Sequence, residues 1–507
     1  MIRVSSSFLI LTGILTTILG CSSPSSPATS SQSSASSSFG AQWARTLVSG
    51  TSGAWFNGVI VDSSGNVYAV GSVQGTDTYA FGNSVTATGL SSGTGNNTLI
   101  VKYDSSGIAK WAKCQTSGQY VWFTGVTADS AGNVYAVGVT NSGTCGFGNS
   151  VTTTLSTGTG PLIVKYNSAG VAQWARTLNS AASTTSAMFE GVAIDGSGNL
   201  YAVGEAIGNG TYDFGNSITA TGTATGTNGN TLVVKYDNSG VAQWAQTLTS
   251  GTAGAWLYSV AVDNSGNVYA AGRSSGNEVY GFGNSVTATG TAAGTYSNSL
   301  IVKYNTSGVA QWARTLTSGT GGAVFGGVAL DNSGYLYAVG STGGAGMYGF
   351  GNSVTVTGTA TGDNALIVKY NTSGVPQWAR TLASGATGAY FNVATIDGSG
   401  NVYVVGASVG NGIYGYGNSV TAAGTATGTN ENTLVLKYDS SGNAQLALTL
   451  TSGTGGAWFN GVGIDGSGNL YAVGASRGSD NYGFGNSVTA VGTAAGTNDN
   501  TLIVKYR

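Results

Sequence analysis

Among the acids of this 507-residue chain, the evident candidates for chemistry outside the repeated markers are Glu190, Glu205, Asp213, Glu278 and Asp363. Two such groups held at one spot would supply acid–base chemistry for cleaving a glycosidic bond. In sequence they are scattered over different units and show no pairing, so each reads as a solvated loop charge. The chain has no histidine, which removes the commonest general base and the commonest metal ligand. It contains no phosphate-binding glycine loop, nucleophile elbow or cluster of metal ligands. Catalysis needs an asymmetric arrangement of groups, and the units look too alike to display one. The expectation is a protein that is not an enzyme and carries no cofactor or metal.

A second chemical feature is aromatic. Seven residues before each of seven recurring aspartates stand Trp55, Trp122, Met188, Trp256, Val324, Tyr390 and Trp458. The rings of Trp55, Trp122, Trp256, Tyr390 and Trp458, gathered around one opening, would stack on sugar rings or another flat ligand. Packing between units competes with that reading, and Met188 and Val324 suit packing better. Another set, Trp43, Trp111, Trp174, Trp244, Trp312 and Trp378, with Leu446 in the seventh place, reads as docking between neighbouring units.

These residues ride on a repeat. Val-Lys-Tyr, once Leu-Lys-Tyr, ends at Tyr103, Tyr166, Tyr236, Tyr304, Tyr370, Tyr438 and Tyr506. Asp-x-x-Gly keeps the same beat from Asp62, Asp129, Asp195, Asp263, Asp331, Asp397 and Asp465. No single unit can bury its own apolar faces, so the copies must pack on one another. In the fourth unit, residues 259–263, 268–272, 298–304 and 309–316 read as strands. Two tight Asn/Ser/Gly turns and one long Gly/Thr/Ser-rich stretch join them. That is an antiparallel meander. Seven of them predict an all-β fold, a seven-bladed β-propeller of four-stranded antiparallel blades. Residues 41–47 are expected to supply the outer strand missing from the blade at 457–507 and so close the ring.

The tight turns of a meander share one face, where Lys102, Lys165, Lys235, Lys303, Lys369, Lys437 and Lys505 meet the marker aspartates in ion pairs or hydrogen bonds. The turns resemble calcium loops only slightly, lacking the closing glutamate. The long stretches and the connections between blades share the opposite face, where a ligand is expected.

Composition bounds the partners. A formal charge of −2 with only 7% charged residues leaves no basic patch for nucleic acid, and a monomer is expected. Ahead of the repeats come Arg3, an apolar run from Phe8 to Leu19, and Leu19-Gly20-Cys21, which resembles a bacterial lipobox. That resemblance implies a signal peptide at 1–20, lipidation of Cys21, a Ser-rich tether over 21–40 and the propeller over 41–507. It places the protein in the bacterial cell envelope, anchored to a membrane by lipid at the outer membrane or cell surface. Cys114 and Cys145 are left open as a disulfide or two thiols.

The motifs at 191–204 (Gly-Val-Ala-Ile-Asp…Gly-Asn-Leu-Tyr-Ala-Val-Gly) and 300–313 (Leu-Ile-Val-Lys-Tyr…Ser-Gly…Trp-Ala) resemble the bacterial seven-bladed β-propeller repeat family, SBBP. The likeness covers nearly all of 41–507 and implies an exported or surface-attached propeller. The Asp-x-x-Gly-x-x-x-Trp pattern of Asp104 to Trp111 is also similar to quinone-cofactor propellers and to lipoprotein propellers of outer-membrane assembly. The function expected is a lipid-anchored propeller that binds protein or glycan through its long-loop face. The alternatives are a periplasmic scaffold in outer-membrane protein assembly, and a channel-centred glycan lyase or hydrolase should two acids meet across the mouth.

Overall fold

A computed structural model describes residues 39–181, 186–292, 294, 296–319 and 321–507. Cys21 and the tether as far as Ser38 lie outside the described residues. Those residues form seven four-stranded antiparallel sheets in a ring, with no helix among them. In blade one the strands run Ala54–Val61, Val67–Gln74, Asn96–Tyr103 and Ala109–Lys113 from the channel outward. The second strand, Val-Tyr-Ala-Val-Gly-Ser-Val from Val67 to Val73, is buried throughout, as a continuous apolar run between two covered faces should be. The inner strands begin earlier than expected: in blade four the strand is Ala255–Val262. The aromatic column therefore lies inside the inner strands, not ahead of them.

The ring closes as expected. Strand Ala41–Arg45 pairs with Asp499–Tyr506, with Trp43 opposite Lys505 and Arg45 opposite Ile503. Phe39 and Gly40 join the fold too: Gly40 and Arg507 exchange backbone hydrogen bonds of 2.8 and 3.0 Å, and Phe39 packs 5.6 Å from the Tyr403 ring.

On the short-turn face six of the seven blades clamp the next through a tryptophan. Trp312 Nε1 donates to Thr372 O at 3.2 Å, and Arg314 Nε to Gly374 O at 2.8 Å, both in the following blade's turn. Lys303 lies 4.9 Å over the Tyr269 ring and also reaches the Thr372 carbonyl. The marker aspartates serve their own turns. Asp263 accepts from the backbone N–H of Ser265 and Asn267, from Asn267 Nδ2 and from the Tyr269 hydroxyl. The lysines thus make hydrogen bonds and ring contacts, while no Lys–Asp ion pair joins the two columns among the described residues.

The stretch expected to be a long loop contains a β-ribbon, Thr78–Ala80 with Thr86–Thr88 in blade one. Its tip, Gly82-Asn83-Ser84, has φ values of 87°, 52° and 59°, a conformation that Gly and Asn accept most readily. Asn83 Nδ2 donates to Ala109 O at the start of the outer strand, 2.9 Å away, and Tyr79 and Phe81 are buried. The same tip recurs at Asn149, Asn216, Asn284, Asn352, Asn418 and Asn486. Much of the expected loop face is therefore a strap laid against the blades. Cys114 and Cys145 are both free and pack in different parts of the core. Burial pushes each thiol up to about 12, so neither is a ready nucleophile.

Candidate functional site

The channel wall is built from one β-bulge repeated around the ring. In blade one Phe56 pairs with Gly71 and Gly58 with Val70, which leaves Asn57 unpaired. Gly71 makes this possible, because a Cβ there would lie 2.1 Å from Trp55 O. A bulge re-aims the extra side chain, here into the channel. The seven bulge residues are Asn57, Thr124, Glu190, Tyr258, Gly326, Asn392 and Asn460, and all line it.

Four of these side chains zip the ring. Asn57 Nδ2 donates to Phe123 O at 2.7 Å, Thr124 Oγ1 to Phe189 O at 2.7 Å, Asn392 Nδ2 to Phe459 O at 2.8 Å and Asn460 Nδ2 to Phe56 O at 2.9 Å. Glu190, Tyr258 and Gly326, in three consecutive blades, make no such bond among the described residues. The strand behind them is also unusual. Glu205 pairs with Met188 and Arg273 with Trp256, at positions where the other blades carry Ser72, Val139, Ser341, Ala407 and Ala475.

These departures meet. Glu190, Glu205, Tyr258 and Arg273 surround a cavity of about 160 Å³ with Trp256 and Leu257. Glu190 and Tyr258 also line a funnel of about 500 Å³ at the channel mouth, whose walls include Trp55, Trp122 and Met188. Arg273 lies 4.4 Å over the Trp256 ring and donates from Nη1 to Ser297 Oγ at 3.0 Å, while its buried Nε has no partner. Burial, reinforced by Glu205, pushes the Glu190 carboxyl up to about 7. Burial also raises Glu205, but the Arg273 guanidinium pulls it back. The Tyr258 hydroxyl is raised by burial, again with Arg273 opposing. Two carboxyls thus share one cavity in unlike electrostatic settings.

The expected aromatic site is only partly assembled. Trp55 and Trp122 meet in the funnel, and Trp256 lines the adjoining cavity. Tyr390 instead donates its hydroxyl to Glu431 at 2.5 Å, and Arg477 lies 5.4 Å over Trp458. The five outlying acids divide likewise. Glu278 accepts from Thr252 and Ala253 in a blade connection, and Asp213 from the Gly215 N–H beneath a ribbon tip. Asp363 lines a groove of about 620 Å³ with Tyr296 and Val324. Glu190 and Glu205 come together, which corrects the reading of each as a solvated loop charge. The signal was present two residues after the aromatic column, which reads Asn, Thr, Glu, Tyr, Gly, Asn, Asn around the ring. The units are not alike at that column.

No family model matches the sequence, and no curated protein matches it, so the SBBP resemblance is carried by its motif residues alone. Solved structures similar to this chain include a protein of unknown function from Dyadobacter fermentans, 9% identical, with a TM-score of 0.40 over 92% of this chain and 99% of that one. An ulvan lyase of polysaccharide lyase family PL25 is 10% identical, with a TM-score of 0.41 over 90% and 97%. A GH43 protein from Bacillus licheniformis is 9% identical, with a TM-score of 0.28 over 92% and 99%. Likenesses this remote assign no activity.

Proposed function

We propose that this propeller binds a neutral glycan at the mouth of its channel, on the side away from the tight turns. The observation that carries the reading is the funnel, where Trp55 and Trp122 stand above the amide and hydroxyl groups of Asn57, Thr124, Asn392 and Asn460. A sugar ring has apolar C–H faces and a hydroxyl rim, and this wall offers an aromatic surface and polar groups to match. A concave site favours a glycan over a broad protein partner, since the ribbons occupy much of the expected loop surface. The Leu19-Gly20-Cys21 sequence supports display from the cell envelope through lipid on Cys21. Incorporation of labelled palmitate that is lost in Cys21→Ala tests the anchor.

For the site, a glycan array followed by calorimetry on the full chain is the direct experiment. The Trp55→Ala/Trp122→Ala variant is expected to lose at least tenfold in affinity at ~1–3 kcal/mol for each lost aromatic contact, with little change in melting temperature. Undiminished binding by that variant would overturn the reading.

A further inference from the structure

We propose that the corner where blades three and four meet the channel is a hydrolytic centre for glycosidic bonds, with Glu190 as proton donor to the leaving oxygen and Glu205 as base toward the attacking water. The proposal deepens the glycan reading and rests on it. Its foundation is the break in the bulge zipper. At four blades the bulge side chain is taken up in holding the ring, whereas Glu190 and Tyr258 project into the channel without that bond. Elsewhere the bulge column and the position facing the aromatic column carry only uncharged residues. The three charged groups in these columns, Glu190, Glu205 and Arg273, fall in adjacent blades around one cavity.

The two carboxyls suit different roles. Burial and the like charge of Glu205 both act on Glu190, so its proton is retained near neutrality. Glu205 has the Arg273 guanidinium as its counter-charge, which favours the ionised form. Environments that drive two acids apart in this way are how acid and base roles are separated. Tyr258 and Arg273 are the other ionisable groups that face the pair. The Glu190 carboxyl passes its proton to the glycosidic oxygen as the bond from that oxygen to the anomeric carbon breaks and its electron pair goes to the oxygen. Water forms the new bond to the anomeric carbon and yields a proton to the Glu205 carboxylate. Proton exchange with solvent through the channel restores both groups. With Glu190 protonated, Glu205 and Arg273 balance each other, so the cavity has no free cation to pair with a uronate carboxylate and the substrate class is a neutral hexose or pentose glycan.

The test uses the full chain with matched 4-nitrophenyl and 2,4-dinitrophenyl glycosides of neutral hexoses and pentoses. A dinitrophenolate departs without help from an acid, whereas a poorer leaving group needs the proton. Glu190→Gln should therefore slow nitrophenyl hydrolysis by ~10²–10⁴ and dinitrophenyl hydrolysis by less than about tenfold. It should also remove the alkaline limb of the kcat/KM profile near pH 7. Glu205→Gln should abolish both reactions, and both variants should still bind glycan. Wild-type protein that binds glycan yet cleaves none of these substrates would overturn the hydrolytic centre and leave the binding reading standing. So would a Glu190→Gln variant with wild-type rates on both leaving groups. Absence of both binding and cleavage would remove the glycan reading itself.

Discussion

The short-turn face and the channel mouth are made by the same seven repeats, yet they treat their polar groups in opposite ways. On the short-turn face nearly every repeated donor has a partner in the next blade. Trp43, Trp111, Trp174, Trp244, Trp312 and Trp378 each donate to a turn carbonyl there. The exception explains itself. Leu446 takes the seventh place beside the junction where Gly40 meets Arg507, and no tight turn joins those two strands. Phe39 instead covers Tyr403, in the position that the clamp tryptophan occupies over its tyrosine elsewhere. At the mouth the corresponding ring of donors is broken over three consecutive blades. Repetition here serves packing, and the departures from it release side chains for chemistry.

The largest effect should come from undoing the closure. Removing residues 39–47 strips one edge of the Asp499–Tyr506 strand and takes away the half-buried Trp43, with its packing on Tyr471 and its hydrogen bond to Ser105 O. A fall in melting temperature of more than ~10 °C is expected by calorimetry, and an unchanged transition would disprove the interlocked ring. A single methyl group on the same face comes next. Gly308 has φ 78°, and a Cβ there would lie 2.8 Å from the Trp244 ring. Gly308→Ala should cost about 2–4 kcal/mol in urea unfolding. Gly398→Ala, where a Cβ meets nothing within 4 Å, should stay within about 0.5 kcal/mol. Equal effects at the two glycines would show that the clamp contributes nothing.

At the mouth the sign reverses. Glu190 has its folded carboxyl raised from 4.5 to about 7. Between those values the folded state holds more protons than the unfolded, so stability falls as pH rises through this window, and the full cost is present above pH 7. Glu190→Gln does not titrate. It should match the wild type at pH 4 and exceed it by about 1–3 kcal/mol at pH 8. A constant difference across pH would mean that the carboxyl titrates normally and that the unlike settings of the two acids are illusory.

How far these regions were legible in sequence follows the same division. The blade count, the meander and the closing strand were readable because counterparts of Asp62 and Lys102 recur in every unit, and of Trp111 in all but the one with Leu446, at nearly even spacing. The ribbon was missed although Phe-Gly-Asn-Ser-Val-Thr recurs at 81–86, 282–287 and 484–489. Its strands of three residues are too short to show alternation, and only the Asn tip and buried Tyr79 reveal why it forms. The acid pair was missed for a different reason. Glu190 and Glu205 lie fifteen residues apart in sequence. They converge because Gly204 lets the inner strand bulge, and a bulge cannot be counted from spacing.

The smallest expected effect is the most discriminating, because it sets one residue type against itself. Trp312 has its Nε1 bonded to Thr372 O, its ring 6.1 Å from Tyr269, and Gly374 pressed against its face. Trp312 is itself half-buried, so Trp312→Ala should lose about 2–3 kcal/mol from packing and the hydrogen bond together. Trp55 is half-buried in the funnel wall and has no hydrogen bond from its indole N–H among the described residues. Trp55→Ala should lose less than about 1 kcal/mol, since truncation there only enlarges a space that water already enters. Measured together by urea unfolding, the pair decides what the aromatic column is for. A loss at Trp55 as large as that at Trp312 would make the mouth tryptophans part of the scaffold. A small loss, coupled to weakened glycan binding, would leave them as the surface on which a ligand rests.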